Sequence, residues 1–211
     1  MSSLHCPARV LIARHGEAEY ETEVCSDDGG SLTPLGRGQA RALAERLRGE
    51  RVARVWTSSL SRAVQTAEIV AAGLGVDVVV REGLREYGVG ALAGSAGDEK
   101  DYFEGVFRLW AGGDDAAQVA GGERIVDFVD RVQGVLDEVA DTHPGEAVLV
   151  VSHGGAILAT VPQLVGLPRT GGLGITLDNC GVIELEKDAD GWRLVGGLDS
   201  GQSVVTEGSL P

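Results

Sequence analysis

The chain has 211 residues, 43 % of them apolar and only 4 % aromatic, so one sizeable core is available and Ala, Val and Leu must fill most of it. Its 32 Asp and Glu against 18 Lys and Arg leave a formal net charge of −14, which argues against broad nucleic-acid binding. Any anionic ligand would approach against that field, so local arginines must focus it. No segment nears the roughly 18 continuous apolar residues of a membrane span, and residues 1–9 lack a signal-peptide pattern. A soluble cytoplasmic protein is expected, with Cys6, Cys25 and Cys180 as free thiols and no Cys/His cluster to hold a metal.

In chain order, the apolar run Val10-Leu11-Ile12-Ala13 reads as a buried strand that ends on Arg14-His15-Gly16-Glu17. Thr33 and Pro34 are an N-cap and first helical residue. The helix they open carries Ala40, Leu43, Ala44 and Leu47 on one face and stops at Gly49. A strand over 53–57 leads through Ser58-Ser59-Leu60-Ser61 into a second helix over about 62–72, followed by the strand Val78-Val79-Val80. Residues 88–122 are rich in Gly, Ala and Asp and form the least regular stretch, with one short amphipathic helix carrying Tyr102, Phe103, Val106, Phe107 and Trp110. A long helix over about 123–142 follows, then a turn at Pro144-Gly145. The strand over 147–151 ends on Ser152-His153-Gly154-Gly155 and passes into another helix. Two strands over 182–186 and 192–195 close the pattern. Strands alternating with helices predict one α/β domain around a mostly parallel sheet.

Ligands of such sheets gather at the carboxyl ends of the strands. Three segments share one plan of apolar strand, polar residues and turn or helix: Arg14-His15-Gly16, Ser58 through Arg62, and Ser152 through Gly155. If those strands are neighbours, two arginines and two histidines meet beside two helix N-termini, a setting that favours phosphate.

These segments resemble the histidine phosphatase superfamily, also called the phosphoglycerate-mutase-like family. The matching runs are Arg14-His15-Gly16-Glu17, Leu32 to Gly36 with Gln39-Ala40, and Ser58-Ser59-Leu60 with Arg62 to Ala67. Leu84-Arg85-Glu86, Gly121-Gly122-Glu123 and Val150 to Gly155 complete them, in the family's order. The resemblance implies a three-layer α/β/α sandwich, phosphoglycerate-mutase-like, spanning 1–211 with a lid-like insertion at about 88–122. It implies His15 as the nucleophile that becomes phosphorylated. Arg14, Arg62 and His153 would bind the phosphoryl oxygens, with Gly16 and Gly154 beside them. Glu86 would protonate the leaving alkoxide and then help activate water. No cofactor or metal is called for, and a homodimer is compatible with the family.

Other readings stand beside these. Arg62 could instead cap its helix or pair with Glu68. Glu82, Glu99 and Glu104 compete with Glu86 for the acid's role. The aromatics of 102–110 either line a substrate pocket or pack the lid onto the domain. His5 and His143 are expected to be ordinary surface residues, and Asn179 to be structural. Metal ligation by His15 and His153, or a non-catalytic phosphate-binding domain, would be alternatives to catalysis. Between hydrolysis and mutase-type transfer, the lid favours hydrolysis of a small phosphomonoester. It offers only Lys100 and Arg108 against Asp98, Glu99, Asp101, Glu104, Asp114 and Asp115, a poor clamp for a triose carboxylate. Glu21 stands where many relatives have asparagine. With the acidic lid, it would favour a substrate bearing hydroxyls or positive charge.

Overall fold

Strand β1 (Ala8–Arg14) sends Val10 and Ile12 to one face of the sheet and Leu11 and Ala13 to the other, the alternation every strand imposes. The same alternation recurs in β6 (Ala147–Ser152), where Val148 and Val150 face one way and Leu149 and Val151 the other. Strands buried on both faces require a helical layer on each side. The computed structural model describes residues 6–19, 26–27, 29–95, 100–173 and 175–197, with backbone alone at 100, 101 and 197. Glu21, Cys25, His5, Asp98 and Glu99 lie outside these residues, as do the side chains of Lys100 and Asp101.

On one face lie α1 (Pro34–Leu47) and α2 (Ser61–Leu74); on the other lie α3 (Lys100–Ala111), α4 (Ile125–Thr142) and α5 (Gly154–Leu164). The expected three layers are present. With β4 (Val52–Thr57), β5 (Val78–Val80), β7 (Val182–Asp188) and β8 (Gly191–Gly197), the sheet runs β5-β4-β6-β1-β7-β8. The first four strands are parallel, whereas β7 and β8 pair antiparallel. β6 sits between β1 and β4, so the three polar segments after these strands open on one edge of the sheet.

Local chemistry explains the helix that braces this edge. Thr33 Oγ1 accepts from the backbone N–H of Gly36 at 2.9 Å, and Pro34 takes the first turn, where its missing N–H costs nothing. A Cβ at Gly36 would stand 2.0 Å from the Glu17 carbonyl oxygen, and one at Gly16 would stand 2.7 Å from the Gly36 carbonyl oxygen. Two glycines therefore let the loop after β1 lie directly on α1. A two-residue ladder between β2 (Ala18–Glu19) and β3 (Ser31–Leu32) continues this loop; it is too short to leave a periodic signal in sequence.

On the opposite face, Phe128 is fully buried among Tyr87 and Phe107, edge-on to both. Truncating a core aromatic of this kind costs about 3–5 kcal/mol. His143 departs from expectation. It is buried, accepts from the Trp56 indole N–H at 3.2 Å and pairs with Glu146 at 2.7 Å, so it closes the end of the sheet remote from the polar segments. A buried indole N–H needs an acceptor, and a lone histidine after a helix carried no sign of that partnership.

Candidate active site

The chain emerging from β1 is fixed atom by atom. His15 N–H donates to the Ser152 carbonyl at 3.0 Å, Arg14 N–H to that of Gly181 at 3.1 Å, and Gly16 N–H to Thr66 Oγ1 at 3.0 Å. Asn179 Nδ2 donates to the His15 carbonyl at 3.0 Å, the structural role expected of it. His15 itself is buried, with Nδ1 at 2.7 Å from its neighbour's carbonyl, that of Gly16. A carbonyl can only accept, so Nδ1 carries the proton and Nε2 the lone pair. Arg62 Nε, 3.1 Å away, donates to that lone pair. Burial lowers the His15 pKa to about 4, aided by the Arg62 and Arg14 charges and opposed by the Gly16 hydrogen bond. The imidazole is therefore neutral at ordinary pH, with a nucleophilic nitrogen beside a guanidinium.

Arg62 leaves the first turn of α2 and also donates through Nη1 to the Gly29 carbonyl at 3.1 Å. The expected alternative, a pair with Glu68, is not what holds it. Arg14 donates through Nη1 to the Leu177 carbonyl at 2.7 Å, while its buried Nε has no partner among the described residues. His153 follows β6, is fully buried, and lies with its ring centroid 5.2 Å from that of His15. Its Nε2 meets Ser58 Oγ at 2.8 Å, and its Nδ1 is also buried without a partner among the described residues. Burial, then the nearby Arg62, pushes its pKa well below the usual value. Two orphaned buried polar atoms in neighbouring side chains are unusual in a folded protein, and an oxyanion ligand would satisfy both.

Glu86 lines the same cleft as Arg14, His15 and Arg62. Its carboxylate accepts from the backbone N–H of Gly155 at 2.9 Å and of Tyr87 at 3.0 Å, across the N-terminus of α5. A Cβ on Gly155 would come within 2.6 Å of that carboxylate, which accounts for the second glycine after His153. Of the competitors, Glu82 pairs with Arg85 at the surface, Glu104 of α3 reaches the same cleft but pairs there with Arg108 at 3.2 Å, and Glu99 lies outside the described residues.

Sequence reasoning missed the residues that carry Glu86. Arg131 of α4 donates to the carbonyls of Gly83, Arg85 and Glu86 at 3.0, 2.8 and 3.2 Å and pairs with Glu123 at 2.6 Å. Ser152 Oγ donates to the Leu84 carbonyl at 2.8 Å. Thr66, four residues after Arg62 on one helix face, was findable from spacing; Arg131, beside the apolar stripe of α4, left no such sign.

Arg14, His15, Arg62, Glu86 and Gly154 line one cleft of about 1000 Å³. His153, fully buried, sits beside the His15 end of this cleft, its ring centroid 5.2 Å from that of His15. Beyond Glu86 the cleft runs between α3 and α5. Phe103, Phe107 and Trp110 both line it and pack toward Tyr87 or one another, whereas Tyr102 is exposed. Of the lid's acidic residues, Glu104 reaches the cleft, whereas Asp115 pairs with Arg169 at 2.6 Å.

This geometry coincides with a family match. Residues 10–199 fit the model of the histidine phosphatase superfamily (branch 1). The chain belongs to that superfamily. Among relatives, the Cronobacter sakazakii protein named probable phosphoglycerate mutase GpmB is 31 % identical over 205 residues, covering 96 % of this chain and 93 % of that one. The structure of a mycobacterial glucosyl-3-phosphoglycerate phosphatase superposes with a TM-score of 0.73 at 28 % identity, over 90 % of this chain and 98 % of that chain. Bacillus stearothermophilus YhfR superposes with a TM-score of 0.75 at 26 % identity, over 90 % and 96 %. Membership of this superfamily and these neighbours support a phosphatase or a mutase.

Proposed function

We propose that the chain is a phosphomonoesterase that works through a phosphohistidine on His15. The observation that carries this reading is the His15 tautomer: Nδ1 is committed to the Gly16 carbonyl, leaving Nε2 with its lone pair beside Arg62. A neutral nitrogen attacks phosphorus without prior deprotonation. The phosphoryl oxygens take the donors of Arg62, Arg14 and His153; as Arg62 turns to the anion, the Nε2 lone pair is freed. The N–P bond forms while the bond to the leaving oxygen breaks, and Glu86 supplies the proton that oxygen needs. Water then attacks the phosphohistidine and gives its proton to Glu86. The P–N bond breaks, and inorganic phosphate leaves. Charge-stabilising donors of this type are worth roughly 10² to 10³ each in rate.

Hydrolysis is favoured over mutase transfer by the open, large cleft, which admits water to the phosphohistidine. Both arginines beyond Glu86 in it are already matched by carboxylates, Arg108 by Glu104 at 3.2 Å and Arg169 by Asp115 at 2.6 Å, so neither is a ready clamp for a triose carboxylate. The mycobacterial neighbour is a phosphatase, which supports the same choice, whereas the name of the GpmB relative favours transfer. The test is to compare phosphate release with phosphoglycerate isomerisation, with and without a chelator, in wild type and His15→Ala. Phosphate release that persists in chelator and vanishes in His15→Ala supports the proposal. Faster isomerisation, or a chelator-sensitive rate restored by a divalent metal, refutes it.

A further inference from the structure

The cleft is too large for the phosphoryl group and a three-carbon alcohol. Its volume of about 1000 Å³ stands at the upper end of sites that hold drug-sized ligands, which run to about 300–1,000 Å³. Beyond Glu86 the wall carries the apolar Phe103, Phe107 and Trp110 of α3, Leu158 of α5, and Leu173 and Ile175 after it, beside Glu104, Arg108 and Arg169, whose charges are paired. That second side packs closely on α5 at Gly172. Pro162 inside α5 has no N–H for the Leu158 carbonyl. Gly172 closes on the same carbonyl, so tightly that a Cβ there would stand 2.0 Å from its oxygen. Leu173 and Ile175 remain 42 % and 37 % exposed, apolar surface left uncovered at the mouth of a catalytic cleft. Trp110, itself buried, keeps an indole N–H without a partner among the described residues.

We infer that this lobe binds the leaving group of the substrate, and that the substrate is a phosphomonoester of a bulky apolar or aromatic alcohol. The inference rests on the phosphatase reading, because the lobe is continuous with the His15 end of the cleft. A ring system moved from water onto Phe103, Phe107, Leu173 and Ile175 gains binding that a polyol of the same charge does not. This substrate class also reverses the preference for hydroxylated or cationic substrates that the acidic composition of the lid suggests.

The test compares 2-(1-naphthyl)ethyl phosphate with glycerol 3-phosphate. Both leave as aliphatic alkoxides, so leaving-group chemistry is closely matched and the pocket decides. The expected kcat/KM is at least about tenfold higher for the naphthyl ester. In parallel, calorimetry measures binding of 2-(1-naphthyl)ethylphosphonate and ethylphosphonate, neither of which turns over, with the same ratio expected. Ile175→Asp, and independently Leu173→Asp at the exposed rim, should each collapse that ratio at least threefold. Equal binding of the two phosphonates by the wild type, or a ratio unmoved in both folded variants, overturns the inference. If neither ester is hydrolysed, the phosphatase reading falls, and the phosphonate ratio still judges the pocket.

Discussion

Replacing Gly155 by alanine should remove most of the activity while leaving the fold intact. The new Cβ would stand 2.6 Å from Glu86 Oε1 and 3.2 Å from Oε2, and ordinary contact begins near 3.4 Å, so the carboxylate must retreat by about 0.8 Å. That movement also stretches the 2.9 Å bond from the Gly155 N–H. A misplacement of about 1 Å at a reacting group can cost roughly 100-fold. Stability moves little, because alanine in a helix is favoured over glycine by about 1 kcal/mol, which offsets the local repulsion. The loss should depend on the leaving group: an alkyl phosphate, whose alkoxide needs Glu86's proton, should slow by about 100-fold. An activated aryl phosphate should slow far less. Steady-state kinetics on such a pair, with thermal unfolding as the control, decides the matter. Wild-type rates on the alkyl ester, or equal losses on both esters, would refute the placement of Glu86 as the proton donor.

Arg131→Met removes the side chain that gathers the carbonyls of Gly83, Arg85 and Glu86. It should lower stability by about 1.5–3 kcal/mol and steepen the dependence of rate on leaving group, whereas a purely structural role would leave that dependence unchanged. The His15 value near 4 lies below the ordinary 6.5, so between these pH values the unfolded chain holds more protons than the folded one. The associated stability, of order 3 kcal/mol, is complete above about pH 6.5 and is lost as pH falls toward 4. Unfolding midpoints measured from pH 7 to 4 should fall less steeply in His15→Asn than in wild type. For the same reason, the acid limb of kcat/KM that belongs to His15 should lie near pH 4 and not near 6.5. Gly16→Ala sets a Cβ 2.7 Å from the Gly36 carbonyl, a backbone atom that cannot turn aside, and should cost about 1–3 kcal/mol of stability in a denaturant titration.

Much of this architecture was legible in the sequence because it rests on local rules. Apolar runs marked β1 and β6, Thr33-Pro34 marked the start of α1, and three strand-end segments carried the charged and imidazole groups that the sheet brings to one edge. The turn near 188–191 marked β7 and β8 as a hairpin, whereas the antiparallel pairing of β7 with β1 depends on long-range contact and was not legible. Nor were the burial of His143 and the bracing of Glu86 by Arg131. Each depends on a partner dozens of residues away: Trp56 for the first, the carbonyls of 83–86 for the second. The lid was legible only in part, for a different reason. Composition counts acidic residues wherever they point, while the structure turns Asp115 to a guanidinium and gives the cleft its aromatics.

In the proposed reaction His15 Nε2 is the atom that takes the phosphoryl group. Rapid-quench mixing of the protein with a phosphomonoester labelled in its phosphoryl group, followed by peptide mapping, reads this directly. One acid-labile label per chain on His15, decaying to inorganic phosphate at the turnover rate, is the predicted result. Turnover without a covalent label, or a label on any other residue, would contradict it.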